Sequence, residues 1–204
     1  MSYYDVTFTP NVRAVQRDKG SPLERFRLSG DQPPMQLGPN ERQFIEASDG
    51  FCVASVSETG WPYIQFRGGP TGFARILDGA TIAWAELRGN RQYITMGNLA
   101  GNDKVALFIL DHARRQRLKI LGRARISNDP LILKELAAHS DRGHIEGAFI
   151  VTVNAFDWNC PDHITPRFTE AEYGRELEHL RSRVAELENL LHLPTTEYPT
   201  LGAK

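Results

Sequence analysis

The segment from residue 62 to residue 73 reads PYIQFRGGPTGF, and the fold can be worked out from it outwards. Its first half predicts a strand in which Gln65 and Arg67 point to the same face, because side chains alternate along an extended chain. The strand ends in Gly68-Gly69, which lets the backbone approach a flat ligand closely. A tight hairpin explains the two glycines equally well. Both interpretations place a strand end here.

The sequence on both sides of this segment predicts further short strands separated by turn residues. One of them, Arg114–Ile126, has apolar residues on one face and Arg117, Lys119, Arg123 and Arg125 on the other. Few helices interrupt the series, so we expect a mainly β protein with an antiparallel barrel and flanking helices. The predicted strands are Phe51–Ser57, Pro62–Arg67, Phe73–Leu77, Thr81–Ala85, Val105–Leu110, Arg114–Ile126 and Gly147–Trp158.

Helical patterns flank the strands and occupy the tail. A capping box of Thr169 and Glu172 precedes a heptad seam, which predicts a C-terminal helix. We predict an N-terminal arm at 1–38, the barrel at 39–160, and a linker with the heptad helix at 161–204. Shorter helices are predicted at Asn11–Arg17, Pro39–Ser48, Arg88–Asn98 and Pro130–Ala138. The residues of the seam are Tyr173, Leu177, Leu180, Val184, Leu187 and Leu191.

The composition excludes several classes of protein. Hydrophobic residues make up 41% and charged residues 24%, with a formal net charge of -1, which argues against a dedicated nucleic-acid binder. Two cysteines are too few for a disulfide framework or a structural zinc site. No signal peptide is visible at the start, and no apolar run approaches the roughly 18 residues of a membrane span. We expect a cytoplasmic protein with no membrane partner and no nucleic-acid partner.

The segment Leu87-Arg88-Gly89-Asn90-Arg91-Gln92 lies at a predicted junction of strand and helix. The N-terminus of a helix offers free backbone N–H groups to a phosphate, and Arg88 and Arg91 can add charge-assisted hydrogen bonds. An ordinary helix start with two surface arginines is the alternative. The wider region from Arg88 to Arg125 is rich in Lys and Arg, which suits an anionic ligand or a solvated strand face.

Residues 51–127 resemble the FMN-binding split barrel of the pyridoxamine 5′-phosphate oxidase-like superfamily, in a poorly characterised bacterial branch. The resemblance lies in the order of the motifs rather than in any one of them. They are Thr-Gly-Trp-Pro at 59–62, Tyr-Ile-Gln-Phe-Arg-Gly-Gly-Pro at 63–70, Leu-Asp-Gly at 77–79, Arg-Gly-Asn-Arg-Gln-Tyr at 88–93, Gly-Asn-Leu-Ala at 97–100 and Arg-Leu-Lys-Ile-Leu-Gly-Arg-Ala-Arg at 117–125. The tail segments Asp-Trp-Asn-Cys-Pro at 157–161 and Pro-Arg-Phe-Thr at 166–169 are similar to that branch too.

The resemblance implies a homodimer with two FMN sites at the subunit interface. It places Gln65 and Arg67 along the flavin and its ribityl chain, and Asn98 near the ring edge or the ribityl chain. Lys119 is expected to reach in from the neighbouring strand. The remaining implied residues are Arg88, Asn90, Arg91 and Gln92 in the phosphate loop, and Trp158 and Asn159 approaching the flavin from the partner subunit.

One departure from the family pattern bears on the activity. Vitamin B6 oxidases of this superfamily carry an Arg-x-His substrate clamp after the last strand, and no such motif follows Trp158. We therefore expect a flavin oxidoreductase that acts on a small molecule other than pyridoxamine phosphate. The alternative is a non-catalytic module that holds FMN, the deazaflavin F420 or haem. No catalytic residue stands out, although Tyr63, His163 and Cys160 are candidates, and the histidines lack metal-ligand spacing.

Overall fold

The structure is a computed structural model that describes residues 2–22, 35–140, 143–158 and 162–191. The chain forms two compact units. The first consists of Met1–Asp111 and Arg115–Ile164, and the second of His112–Arg114 and Thr165–Lys204. Among the helices of the described ranges, none has the length and apolar character needed to cross a lipid bilayer.

The first unit is built on one antiparallel sheet of seven strands in the order β2-β1-β5-β6-β7-β4-β3. β2 and β3 lie at the two edges, so the sheet is open rather than a closed barrel. With its flanking helices this is the mainly β split-barrel fold predicted from the sequence. The strands are β1 Gly50–Val56, β2 Pro62–Gly68, β3 Arg75–Asp78, β4 Thr81–Leu87, β5 Lys104–Asp111, β6 Gln116–Ser127 and β7 Ile145–Trp158.

The core lies on the inner face of the sheet. Trp84 stacks on Phe149 with ring centroids 4.5 Å apart, and Phe51 meets the edge of Trp84 at 5.2 Å and stacks on Phe73 at 5.4 Å. Offset and edge-on aromatic contacts of this kind add to the free energy of burying the rings. β1 alternates between buried and partly exposed residues, as a strand covered on one face should. The other large residues of this core include Val53, Ile82, Leu107, Ile109, Leu118, Ile120, Val151 and Val153.

Six helices occur in the described residues. The short helix α1 was not predicted. From this helix the Tyr4 hydroxyl donates to the Asp157 carboxylate of β7 at 3.0 Å. α2 covers the predicted Asn11–Arg17 segment. The bounds are α1 Tyr3–Thr7, α2 Pro10–Asp18, α3 Pro39–Ala47, α4 Ile94–Gly101, α5 Pro130–Ala137 and α6 Glu170–Leu190.

The predicted start of the helix at Arg88–Asn98 is wrong. α4 begins only at Ile94, because Arg91 and Tyr93 have φ angles of 63° and 51° and so cannot belong to a right-handed helix. The residues from Arg88 to Tyr93 form an irregular connection between β4 and α4. The helix start therefore lies close to Arg91 rather than at Arg88.

The second unit contains α6, which starts where the sequence predicts. The Thr169 hydroxyl accepts from the Glu172 backbone N–H at 3.3 Å, and Glu172 Oε2 accepts from the Thr169 backbone N–H at 2.9 Å. This reciprocal capping box satisfies two backbone donors that a helix start leaves without partners. The heptad seam up to Leu191 lies on this helix and its C-cap.

Candidate functional site

A cavity of about 210 Å³ opens between β2, the end of β4 and the start of α4. Its wall on β2 is made by Tyr63, Gln65 and Arg67, which lie on the strand face that the pleat turns toward the core. Glu86 and Leu87 line it from β4, and residues 89–96 close the other side. The three elements that meet here are far apart in sequence, so the sheet topology creates the cavity.

Hydrogen bonds tie the strand wall to the helix wall. The Thr95 hydroxyl, in the first turn of α4, donates to Gln65 Oε1 at 2.8 Å. Further along α4, Asn98 donates its side-chain N–H to the Ser55 hydroxyl of β1 at 2.9 Å, and both residues are buried. Because α4 is fixed by these two contacts, the start of the helix is held at the cavity.

Arg67 and Glu86 form a buried ion pair in the cavity wall. Arg67 donates from a terminal guanidinium nitrogen to Glu86 Oε1 at 2.9 Å, and the two side chains are only 13% and 9% exposed. Burial raises the pKa of Glu86, and the charge and hydrogen bond of Arg67 oppose that rise. The guanidinium also lies over the Phe149 ring, with its central carbon 5.8 Å from the ring centroid.

Only one of the two carboxylate oxygens of Glu86 takes part in the hydrogen bond with Arg67. Glu86 Oε2 and Arg67 Nε are buried and have no hydrogen-bond partner among the described residues. Buried polar atoms in folded proteins nearly always have a partner, either protein or bound molecule. The pair therefore leaves one acceptor and one donor buried without a hydrogen-bond partner, which costs free energy.

The start of α4 brings the positive end of a helix to the cavity. Tyr93 occupies the N-cap position and makes no side-chain cap, and no acidic residue lies in the first turn. Ile94, Thr95 and Met96 of the first turn line the cavity, and the first N–H groups of a helix have no partner within the helix. Arg91 lines the same cavity from a left-handed backbone conformation, which costs energy for a residue other than glycine and often marks a binding loop.

Five of the residues named from the sequence line this cavity, namely Gln65, Arg67, Asn90, Arg91 and Gln92. The Asn90 side chain bridges within the loop, accepting from the Gln92 backbone N–H at 3.2 Å. Tyr63, one of the candidate acid–base residues, lines the cavity as well. Asn98 is placed behind the wall, on Ser55, rather than in it.

Arg88 is not among the residues that line the cavity. Its Nε–H donates to Glu146 Oε1 of β7 at 2.7 Å, and the Tyr93 hydroxyl donates to the same oxygen at 3.1 Å. The hydrogen bond raises the pKa of Arg88 and lowers that of Glu146. Arg88 thus fixes the start of the loop against β7 while Arg91 remains at the cavity.

Lys119 and Trp158 lie elsewhere in the protomer. Lys119 pairs across strands with Phe108, on the face opposite Gln65 and Arg67, where its ammonium lies 3.5 Å from Asp157 and over the Tyr3 ring. The indole N–H of Trp158 donates to Glu41 Oε1 at 2.7 Å, and its ring meets Phe44 of α3 edge-on. Asn159 and Cys160 fall outside the described residues.

Sequence reasoning missed Glu86 and Thr95. Glu86 interrupts the apolar strand TIAWAEL, and a lone carboxylate in a buried strand signals that a cationic partner lies opposite. Thr95 carries no comparable signal, because its contact with Gln65 spans 30 residues. No group of three or more His, Cys, Asp or Glu side chains with the geometry of a metal site occurs within the described ranges.

Comparison with known families assigns the chain. Residues 37–155, more than half of the sequence, match the family model described as pyridoxamine 5′-phosphate oxidase. The protein belongs to this family, and the cavity with all its lining residues falls within the matched range. A comparison with curated proteins finds no match.

Solved structures resemble this chain at low sequence identity. HupZ of Group A Streptococcus is 18% identical and superposes with a TM-score of 0.50 over 65% of this chain and 99% of that chain. An FMN-binding protein from Syntrophomonas wolfei subsp. wolfei is 9% identical, with a TM-score of 0.47 over 74% and 97% of the two chains. A structure named F420 reductase is 19% identical, with a TM-score of 0.43 over 57% and 94%.

The raised pKa of Glu86 predicts a pH-dependent stability difference. A carboxyl with a raised pKa in the folded state holds its proton more tightly than in the unfolded chain, so its contribution is fully present below its ordinary pKa of 4.5 and is lost as the pH rises through the raised value. Glu86→Gln cannot lose a proton. The free energy of unfolding of Glu86→Gln minus that of the parent protein, both measured by urea denaturation, should therefore increase as the pH rises from about 4 to 7.

The exposed Glu58 provides the matched control, as Glu58→Gln, in the same titrations. A difference between Glu86→Gln and the parent protein that stays constant, or that falls as the pH rises, would contradict the assignment of Glu86 as a carboxyl penalised by burial.

Proposed function

We propose that the protein binds FMN in the cavity between β2 and α4 and uses it to oxidise or reduce a small molecule. The observation that carries the proposal is that one cavity joins an uncapped helix start and Arg91 to a strand wall that carries Gln65 and the ion pair of Arg67 with Glu86. FMN has the complementary parts, which are a dianionic phosphate and a flat ring edged with hydrogen-bonding atoms. Family membership supports a flavin ligand in general.

The residues present suit the two ends of this cofactor. The free N–H groups of Ile94 to Met96 and the guanidinium of Arg91 match a phosphate. Gln65 keeps its amide N–H₂ as a donor, because the contact with Thr95 uses only its oxygen.

The bound flavin would supply the hydride or electron transfer, and the protein would supply binding and orientation. Arg67, held in place by its ion pair with Glu86, would orient the flavin from the strand wall. The Thr95 hydroxyl fixes the orientation of the Gln65 amide. Hydride transfer depends chiefly on such orientation and requires no dedicated acid or base. Tyr63 and Glu86 are the titratable groups in the wall besides the arginines and Tyr93.

A second subunit is proposed to complete the site. The cavity of about 210 Å³ is smaller than the roughly 300–1,000 Å³ of typical ligand sites, so one protomer encloses only part of an FMN molecule. The outer face of the sheet exposes Ile64 by 65% and Phe66 by 67%, and the register continues this apolar strip through Cys52 to Phe108. Exposed apolar patches of this kind mark protein interfaces. We propose a homodimer in which Lys119, Trp158 and Asn159 approach the flavin of the partner.

Substitution of Arg91 tests the cofactor site. Charge-assisted hydrogen bonds are worth roughly 1.5–3 kcal/mol each, so Arg91→Ala should weaken FMN binding about tenfold or more. The dissociation constant is measured by quenching of flavin fluorescence on titration with apoprotein. The matched control is Arg123→Ala, which removes an arginine of β6 that pairs with Asp103. This variant should bind FMN as tightly as the parent protein does. Equal affinities for all three proteins would refute the phosphate assignment.

Substitution on the outer apolar strip tests the dimer. Ile64→Lys places a charge in the proposed interface, so it should shift the sedimenting species from dimer to monomer and weaken FMN binding in parallel. Leu131→Lys, at a leucine of α5 that is also exposed but lies outside the strip, should leave the mass unchanged. A parent protein that sediments as a monomer at micromolar concentration would rule the dimer out.

Anaerobic stopped-flow mixing tests the redox function. Oxidised holoprotein is mixed with NADPH, NADH or pyridoxine 5′-phosphate, and bleaching of the flavin band is followed. We expect bleaching by a nicotinamide donor and none by the vitamin B6 ester, because no Arg-x-His motif follows β7 to hold its phosphate. Bleaching by pyridoxine 5′-phosphate would overturn the substrate assignment, and firmly bound flavin that no donor bleaches would favour a carrier. Mass spectrometry of the released cofactor distinguishes FMN from F420.

A further inference from the structure

α6 carries a regular apolar stripe on an otherwise charged helix. Tyr173, Leu177, Leu180, Val184 and Leu187 follow one another at alternating spacings of four and three residues, and Leu191 at the C-cap continues the series. These spacings assign Leu177, Val184 and Leu191 to heptad position a, and Tyr173, Leu180 and Leu187 to position d. Tyr173, Leu180 and Leu187 are all exposed, Leu180 by 52%.

We propose that α6 pairs with α6 of a second copy of this chain as a parallel, in-register, two-stranded coiled coil. The inference goes beyond the flavin site, and it uses the proposed barrel dimer only as the source of a high local concentration. Its basis is the charge pattern beside the stripe together with the residue types within it.

The charges beside the stripe match a parallel pair. Positions g hold Glu176 and Arg183, and positions e hold Arg181 and Glu188. In a parallel in-register dimer, a g residue faces the e residue five positions later on the other helix. Glu176 then faces Arg181, and Arg183 faces Glu188, so symmetry gives four attractive pairs and no repulsive one.

The antiparallel alternative does not fit as well. When two antiparallel copies overlap with Leu177 beside Leu187 and Leu180 beside Val184, g faces g and e faces e. That alignment sets Arg183 against Arg183 and Arg181 against Arg181 of the other copy. Sliding the helices by a heptad relieves the repulsion but leaves apolar layers without partners.

The residues of the stripe favour two strands. Val184 at position a is β-branched, and positions d hold Leu180 and Leu187, a combination that favours dimers over trimers and tetramers. The intrahelical pair of Arg183 and Glu186 does not compete strongly, because both side chains are more than 60% exposed and such surface pairs contribute little.

The length of α6 explains why the pairing needs the rest of the protein. A helix of 21 residues offers no more than three heptads and is marginal alone in water. Two copies attached to a dimeric barrel would meet at an effective concentration near the millimolar range, at which a weak coiled coil forms. The experiment therefore uses the full chain.

Engineered cysteines test the alignment. In full-length protein with Cys52→Ala and Cys160→Ala, Leu180→Cys sets two d positions face to face in the parallel in-register pair, whereas Ser182→Cys lies at position f and points outward. In a glutathione redox buffer, Leu180→Cys should form an intersubunit disulfide and Ser182→Cys should stay reduced. Equal oxidation of both, or of neither, overturns the proposal. A dimeric sedimentation mass without the disulfide in the Leu180→Cys protein overturns the coiled coil while leaving the barrel dimer intact.

Charge exchange supplies the second readout. Adding Arg181→Glu to the Leu180→Cys protein sets like charges opposite Glu176 at two places, and should lower the equilibrium constant of the disulfide about fivefold. Adding Glu176→Arg to that variant should restore it, because the pairs become attractive again with their signs exchanged. A disulfide that is indifferent to Arg181→Glu, or that Glu176→Arg does not restore, contradicts the parallel pairing.

Discussion

The buried ion pair between Arg67 and Glu86 joins two strands that are not neighbours in the sheet. β2 lies at one edge, and β4 lies next to the other edge, so this contact spans the opening of the split barrel. Removing two charges from water costs several kcal/mol per ion, and a well-packed apolar pair often holds such a position equally well. The pair leaves Glu86 Oε2 and Arg67 Nε unpartnered at the cavity wall, as far as the described residues go. The burial of this pair is therefore costly for folding.

The strands could be predicted closely because each carries its own signal of alternation and turn residues. β2 begins at the predicted Pro62, and β6 and β7 match their predicted spans to within two residues at each end. The start of α4 could not be predicted, because Arg91 and Tyr93 adopt left-handed backbone conformations. Such conformations favour Gly or Asn, and the Gly and Asn of this segment lie at 89 and 90 instead. α1 was missed because five residues give almost no periodicity, and its contact with Asp157 is made by tertiary structure.

The site could be predicted in part. The alternation in β2 correctly grouped Gln65 with Arg67, and the loop that contains Asn90, Arg91 and Gln92 lies opposite them across the cavity. Alternation could not show which basic side chains have partners. By sequence, the basic face of β6 suits an anionic ligand or a solvated strand face, and within the protomer Lys119 and Arg123 lie on the outer face and pair with Asp157 and Asp103. Those pairings depend on strand register, which the sequence alone does not specify.

The pleat of β2 places residues of the cavity and residues of the outer apolar strip on opposite faces of one strand. Gln65 and Arg67 face the cavity, while Ile64 and Phe66 beside them face outward into the apolar strip. A shift of register by one residue would exchange the two faces, so the pairing of β2 with β1 must be exact for either role. Phe66 contributes to this register, since its ring covers Gly50 and Gly68, where any added side chain would collide with it. In the proposed dimer, a partner that covers the outer face would therefore also stabilise the strand that positions Arg67.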